Sequence, residues 1–242
     1  MFLLPVDIDD ANWRFFLVYE KFSIEGETRY SIAGYATVYQ YYAYPANIRP
    51  RVSQVLTLPP FQKKGLGSRL LNGIYQHYFK DTKVVDITVE DPSEDFVRLR
   101  DFVDAKNCLQ SVESLGSLEA VSGGFTDGMA TEANKKFNLC KKQARRIYEI
   151  LRLHYAQKKG GLTEKNEAYK EFRVDVKKRL NIPFLQEERK LAKLKKALSP
   201  EEFTAATSQT LTTQDQRLES LQSQYKELEE HYLHVLEKVS CY

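Results

Sequence analysis

No run of 18 apolar residues occurs in this 242-residue chain, so no membrane span is expected. The opening Met1-Phe2-Leu3-Leu4-Pro5 has neither the basic start nor the length of a secretory leader, and the expectation is a cytosolic or nuclear protein. Cysteine is scarce. Cys108, Cys140 and Cys241 lie far apart, form no C-x-x-C and are odd in number, which argues for reduced thiols and against a disulfide framework. Of four histidines only His231 and His234 fall three apart on an expected helix, with no third ligand beside them, so no metal site is expected. Internal repeats and low-complexity segments are missing as well.

What is present is ordinary in bulk and uneven in charge. With 42% hydrophobic and 29% charged residues the chain reads as globular, long enough for one large or two small domains. Residues 1–134 hold 13 Lys and Arg against 18 Asp and Glu, and residues 135–242 hold 23 against 15, so a net of −5 precedes a net of +8. An acidic first half suits a cationic substrate, since opposite charge speeds encounter. In the second half the bases alternate with acids along helical stretches, including Lys177-Lys178-Arg179 and Lys193-Leu194-Lys195-Lys196. A solvated helix face accounts for that pattern better than nucleic-acid contact or a role in nuclear import, so direct nucleic-acid binding is not expected.

The coarse order of elements is legible. Trp13–Phe22 and Thr28–Tyr44 are rich in aromatic and β-branched residues and read as a hairpin turning at Glu25-Gly26-Glu27. Pro45–Pro50 reads as a loop and Arg51–Leu58 as an interior strand. From Leu66 to about Phe79 a helix is predicted, with Leu70, Leu71, Ile74, Tyr75 and Tyr78 on one stripe. Val84–Glu90 reads as a strand carrying Asp86, Thr88 and Glu90 on one face. Pro92 fits the first position of a helix capped by Asp91, on which Phe96, Leu99, Phe102 and Val103 form a core stripe. Glycines between Asn107 and Gly128 mark a connector. Beyond Thr131 the pattern is helical: Lys141–Leu153, then Glu167–Leu180 closed by Asn181-Ile182-Pro183, then a seam of Leu218, Leu221, Tyr225, Leu228, Tyr232, Val235 and Val239 that packs back on its own domain.

Chemistry concentrates between Arg51 and Asp91. A strand leads through Pro59-Pro60 into Gln62-Lys63-Lys64-Gly65-Leu66-Gly67-Ser68, and a helix begins at once. Glycines let the backbone approach a bulky anion, and the unpaired N–H groups of a helix start attract phosphate. Lys63, Lys64 and Arg69 add positive charge. The next strand ends in Glu90-Asp91. Such an acidic pair fits a solvated or helix-capping role as well as that of a base that takes a proton from an amine.

Gln62-x-x-Gly65-x-Gly67 resembles the pyrophosphate-binding signature of the Gcn5-related acetyltransferases. The wider text is more specific. Val38-Tyr39-Gln40-Tyr41-Tyr42, Arg49-Pro50-Arg51-Val52-Ser53-Gln54, Asp86-Ile87-Thr88-Val89-Glu90-Asp91-Pro92-Ser93, Leu99-Arg100-Asp101-Phe102 and Gln143-Ala144-Arg145-Arg146-Ile147-Tyr148-Glu149 together resemble the type B histone acetyltransferase catalytic subunits, in order from about Trp13 to the last helix. The resemblance implies an α/β fold, a mixed-sheet acetyltransferase domain over residues 1–110, a connector over 111–130 and an all-helical domain over 131–242. It implies acetyl-CoA held by Val55, Leu56 and Thr57 of a splayed strand, by Gln62, Lys63, Lys64, Gly65, Leu66, Gly67 and Ser68 of the loop, and by Ser93. Glu90 is then the general base with Asp91 as its supporting carboxylate, and Tyr39, Gln40 and Tyr41 contact the substrate.

That substrate is expected to be the N-terminal tail of newly made histone H4, the partner a WD40-repeat histone chaperone of the retinoblastoma-binding type, and the location nucleus and cytoplasm. Members of the family have a further N-terminal domain, so the chain reads as a shortened version. Spacing places the family's third carboxylate near Met1, where Asp7, Asp9 or Asp10 would have to compensate. A catalytically impaired histone-binding or assembly module is the alternative, and acetylation of other amines on the same fold a third reading.

Overall fold

In the structure, a computed structural model, the residues described are 6–110, 124–199, 202 and 214–240. Three long strands open the chain: β1 (Trp13–Ile24), β2 (Glu27–Ala43) and β3 (Asn47–Thr57). Glu25 and Gly26 both have positive φ, 53° and 84°, as a two-residue hairpin turn requires to match the twist of its strands. Aromatic and β-branched residues fill β1 and β2, and antiparallel pairing runs from Trp13↔Tyr39 to Ile24↔Glu27. β3 starts four residues earlier than Arg51, because Ala43 pairs with Asn47 and the expected loop is reduced to a tight turn. β4 (Thr88–Val89) completes the sheet in the order β1-β2-β3-β4 and lies parallel to β3.

The expected strand Val84–Glu90 is therefore mostly not ladder. Single bridges Ile48↔Val84 and Ile87↔Leu139 hold its start, and Arg49 Nε donates to Asp86 Oδ1 at 2.5 Å. These tethers replace the strand pairing that alternation alone suggests.

Helix α1 (Leu66–Phe79) buries Leu70, Leu71, Ile74, Tyr75 and Tyr78, the stripe read from the sequence. It covers the face of the sheet that presents Ala36, Val38 and Val52, all at most 1% exposed. Phe16 joins from β1, its ring 5.4 Å from that of His77. Alternation sends Phe15 and Leu17 to the opposite face, where they remain 50% and 57% exposed.

Helix α2 (Glu94–Gln110) carries unusual freight for a core helix: Arg100, Asp101 and Asp104 are buried. Each has partners. Arg100 Nη2 donates to the Ile87 carbonyl at 2.8 Å, and its Nε lies 3.4 Å from Asp104. Helix α3 (Asp127–Phe137) leads into α4 (Lys141–Gly160). From α4, Gln143 Nε2 donates to Asp104 at 2.9 Å and to Asp101 at 3.1 Å, and Arg146 Nε donates to Asp101 at 2.5 Å. The start of α4 is thus sewn to α2 by charge-assisted bonds.

Burial pushes the Asp104 carboxyl up to about 6 against the downward pull of Arg100. An acid whose value is higher folded than unfolded keeps its proton longer when folded, so this group's stabilisation is greatest below about pH 4 and is lost as pH rises through about 6. Urea unfolding at pH 4.5 and pH 7 is expected to show the parent losing stability relative to Asp104→Asn as pH rises. Parallel profiles would place the titration elsewhere.

By density of contacts the chain divides into Met1–Leu151 and Arg152–Cys241. The connector expected at 111–130 falls largely outside the described residues. Within the second unit α5 (Glu167–Ala197) and α6 (Gln214–Ser240) run antiparallel: Tyr169 Oη donates to Glu229 at 2.6 Å, and Lys177 Nζ donates to Gln222 at 2.7 Å. Tyr225, Tyr232, Val235 and Leu236 are buried, whereas Leu218 of the expected seam is 58% exposed.

Pro183 does not end the helix as expected; α5 continues through it to Ala197. Arg217 of α6 brackets the proline, donating to Asn181 on one side, pairing with Glu188 on the other and lying over the Phe184 ring. Tertiary contacts outweigh the one lost backbone bond. Among the described residues no helix is long and apolar enough to cross a membrane.

Candidate active site

Because β3 and β4 run parallel, their C-terminal ends leave the sheet together, the place where open α/β sheets collect ligand sites. Parallel pairing is brief: Arg51↔Thr88 and Val52↔Val89, closed by the Glu90 N–H donating to the Val52 carbonyl at 2.9 Å. Past Val52, strand β3 runs on to Thr57 with no partner in β4. Val55, Leu56 and Thr57 therefore lie on a stretch of β3 that β4 does not flank.

Glu90 stands where the strands part. It is half-buried, and Ser53 Oγ donates to its Oε2 at 2.8 Å. Asp91 turns the chain with φ of 32°, a strained value for a residue with a side chain, and is exposed. Helix α2 begins at Glu94, so Asp91 does not cap it. Ser93 does: its hydroxyl oxygen accepts the Phe96 N–H at 3.3 Å. The serine hydroxyl proton is left to donate elsewhere.

The loop before α1 is built as an anion site would be. Gly65 is the N-cap in a left-handed conformation with φ of 77°, and no side chain caps the helix, so the first N–H groups, from Leu66 through Ser68, point out of its start. A Cβ on Gly65 would meet nothing within 4 Å. Lys63 also takes a positive φ, 59°, and Lys64 Nζ rests 5.5 Å from the centroid of the Phe61 ring.

Two members of the motif have tasks inside the protein. Gln62 Nε2 donates to the Thr57 carbonyl at 2.9 Å, bracing the loop against the end of β3. A Cβ at Gly67 would lie 3.2 Å from Leu99 Cδ2, so this glycine lets α1 approach α2.

An aromatic row crosses the sheet face away from α1. Trp13 and Tyr39 meet edge to face at 5.0 Å, Tyr39 and Tyr41 at 4.7 Å, and the Arg51 guanidinium lies 4.7 Å from the Tyr41 ring centroid. Tyr39 hydrogen-bonds Asp10, whose carboxylate raises the phenol above its ordinary value. The Asn12 N–H, donating to that carboxylate, holds Asp10 below the usual carboxylate range. Gln40 is not part of this row. Alternation turns it to the α1 side, where its Nε2 donates to Tyr78 Oη at 3.3 Å.

Glu90 and the glycine loop thus leave the same end of the sheet, and Tyr39 and Tyr41 share one face. Two participants escaped the sequence reading as site residues, Ser53 and Trp13, while Asp10, one of three acids weighed there as a substitute carboxylate, lies beside Tyr39. The parallel register of β3 and β4 places Ser53 next to Glu90. Trp13 had a readable signal, as the single tryptophan at the start of an aromatic strand. Among the described residues no group of three or more His, Cys, Asp or Glu is placed to hold a metal ion.

Residues 4–99 match the model of the acetyltransferase (GNAT) family, and residues 100–153 match that of the C-terminal region of the histone acetyltransferase type B catalytic subunit. The human histone acetyltransferase type B catalytic subunit is 42% identical over 235 residues, covering 97% of this chain and 54% of that protein. A Dictyostelium discoideum protein of the same name is 35% identical over 197 residues, 80% of this chain and 40% of its own length. The Schizosaccharomyces pombe protein is 44% identical over 108 residues, 43% and 28% of the two chains. The chain spans about half the length of the human and mouse relatives it matches.

Proposed function

Residues 4–99 belong to the GNAT acetyltransferase family and residues 100–153 to the family formed by the C-terminal regions of type B catalytic subunits, and on that premise we propose that this chain is a histone lysine acetyltransferase. The observation that carries the reading is Glu90 at the fork of β3 and β4, leaving the sheet at the same end as the uncapped start of α1. Acetyl-CoA is the acetyl donor. Its diphosphate sits against the backbone N–H groups of Leu66, Gly67 and Ser68 with Lys63 and Lys64 nearby, and its pantetheine arm lies along Val55, Leu56 and Thr57. Ser93 offers its hydroxyl.

The protein's own task is the proton. A lysine ammonium has no lone pair for attack, and its ordinary value of about 10.4 keeps it charged at neutral pH. Glu90 takes the Nζ proton, the amine attacks the thioester carbonyl, the amide forms and coenzyme A leaves as its thiol. Asp91 is the supporting carboxylate. No acyl-enzyme is required, and Cys108 is ill suited to form one: it is buried, and burial with the Asp104 charge pushes its thiol up, away from the nucleophilic thiolate.

The substrate is the N-terminal tail of histone H4. Tyr39 and Tyr41, with Trp13, offer ring faces to the stem and charge of a lysine, and Asp10 adds negative charge beside them. Gln40 offers the substrate neither its side chain, which is committed to Tyr78, nor its N–H, which donates to the Asn12 carbonyl at 3.0 Å. The likeness to type B subunits also supports a WD40-repeat chaperone partner of the retinoblastoma-binding type and residence in nucleus and cytoplasm. Co-purification and fractionation test these two points.

Transfer of radiolabelled acetyl to an H4 tail peptide, with the chain as it stands, tests the function. Peptide binding without transfer would leave a histone-binding module instead. Gly65→Glu is expected to raise the KM for acetyl-CoA about tenfold or more, by placing a carboxylate and a strained left-handed backbone at the phosphate site. An unchanged KM would put the diphosphate elsewhere.

A further inference from the structure

We propose that Ser53 is a positioning residue for Glu90, an inference that rests on the acetyltransferase reading above and deepens its proton-transfer step. Three features meet at this one residue. Along β2, Val38 pairs with Val52 and Thr37 with Gln54, so Ser53 is passed over and is the extra residue of a β-bulge. On the other edge, Val52 is the last residue that β4 holds, through Val89 and the Glu90 N–H. Finally, the Ser53 hydroxyl donates to Glu90 Oε2 at 2.8 Å. Among the described residues no other side chain hydrogen-bonds that carboxylate.

Register brings the two side chains together. Arg51 lies beside Thr88 and Val52 beside Val89, so the next residues along the parallel pair are Ser53 and Glu90. On its other edge Ser53 is skipped by β2, and such an added residue breaks the ladder locally. Its hydroxyl rests on the carboxylate at the point where pairing with β4 stops.

Fixing matters because a glutamate has three rotatable bonds, and an untethered carboxylate spreads over many rotamers. A proton bound at Oε2 by Ser53 leaves Oε1 to face the incoming ammonium. Displacement of a reacting group by about 1 Å costs on the order of 100-fold in rate. Ser53 therefore acts through Glu90, without touching either substrate.

The test uses the full chain with acetyl-CoA and H4 peptide. Ser53→Ala is expected to lower kcat about 10–100-fold with little change in the KM for acetyl-CoA. Ser53→Thr keeps a hydroxyl and is expected to restore most turnover. In a Glu90→Gln background Ser53→Ala is expected to add no further loss, since the two residues act as a unit.

A bulge with only a structural role would not depend on the hydroxyl and would not separate kcat from KM. If Glu90→Gln itself keeps parental turnover, the reading of Glu90 as the base fails and the role of Ser53 falls with it. If Glu90→Gln is inactive while Ser53→Ala keeps the parental kcat, the positioning proposal alone is overturned. Crystal structures decide the contact without any assay: the Glu90 carboxylate is expected to leave its place in Ser53→Ala and to keep it in Ser53→Thr, and an unmoved carboxylate in the alanine variant overturns the proposal.

Discussion

Glu90→Gln is expected to lower kcat for acetyl transfer by about 10²–10³-fold, the usual contribution of a positioned general base, while the KM for acetyl-CoA stays near that of the parent. The substitution is close to isosteric and its amide oxygen still accepts from Ser53, so the fork between β3 and β4 keeps its shape. What disappears is the lone pair that takes the ammonium proton. Asp91 is a poor substitute. It is exposed, and its strained backbone serves to turn the chain toward α2. The loop from Gln62 to Ser68 lies on a different connection, which is why cofactor affinity and turnover separate. A variant that loses both in equal measure has lost its fold, and one that loses neither has no base at this position.

Arg100→Met is expected to lower the unfolding free energy by about 3–5 kcal/mol, the range seen when one partner of a buried ion pair is removed. Arg100 is 8% exposed and Asp104 2%. Methionine fills much of the volume but donates nothing, so the Asp104 carboxyl loses its nearest cation and the Ile87 carbonyl loses its donor. That carbonyl lies just upstream of Glu90 on the same segment, so the damage spreads toward the fork. Arg100→Met with Asp104→Leu is expected to recover most of the loss, because two apolar groups leave no orphan charge. Urea unfolding of the two variants checks both statements. A loss under about 1 kcal/mol for the single variant would show the pair to be solvated after all.

Residue pattern carried the elements whose burial follows a simple period. The α1 stripe from Leu70 to Tyr78 was readable because a helix on a sheet must bury one face, and the β1–β2 hairpin because Glu25-Gly26 suits a tight turn. Period fails where the ladder is irregular. Nothing in Val52-Ser53-Gln54 announces that one residue will be skipped, since a bulge depends on what the neighbouring strand does. β4 shows the converse error: Val84–Glu90 alternates like a strand, yet isolated backbone bridges at Val84 and Ile87 and the Arg49–Asp86 pair hold most of it.

At the site, the Gly65 turn and the acidic strand end were legible because their chemistry is local. The facing of Gln40, the capping by Ser93 and the burial of Arg100 were not, since each depends on a partner remote in sequence or on where a helix chooses to start. Pro183 is the clearest case of local preference losing. Read alone it stops a helix, but Arg217, 34 positions later, holds both flanks.

The two glycines of the loop answer to different selective pressures. Gly65 serves an opening, while Gly67 serves a seam, with Leu99 filling the space its absent side chain leaves. A descendant that gave up its nucleotide could drift at the first position and would still be held to a small residue at the second, where Leu99 Cδ2 lies 3.2 Å from the place a Cβ would take. Half of this signature can therefore outlive the chemistry for which it is usually read, and a silent cousin of this protein would go on resembling an enzyme.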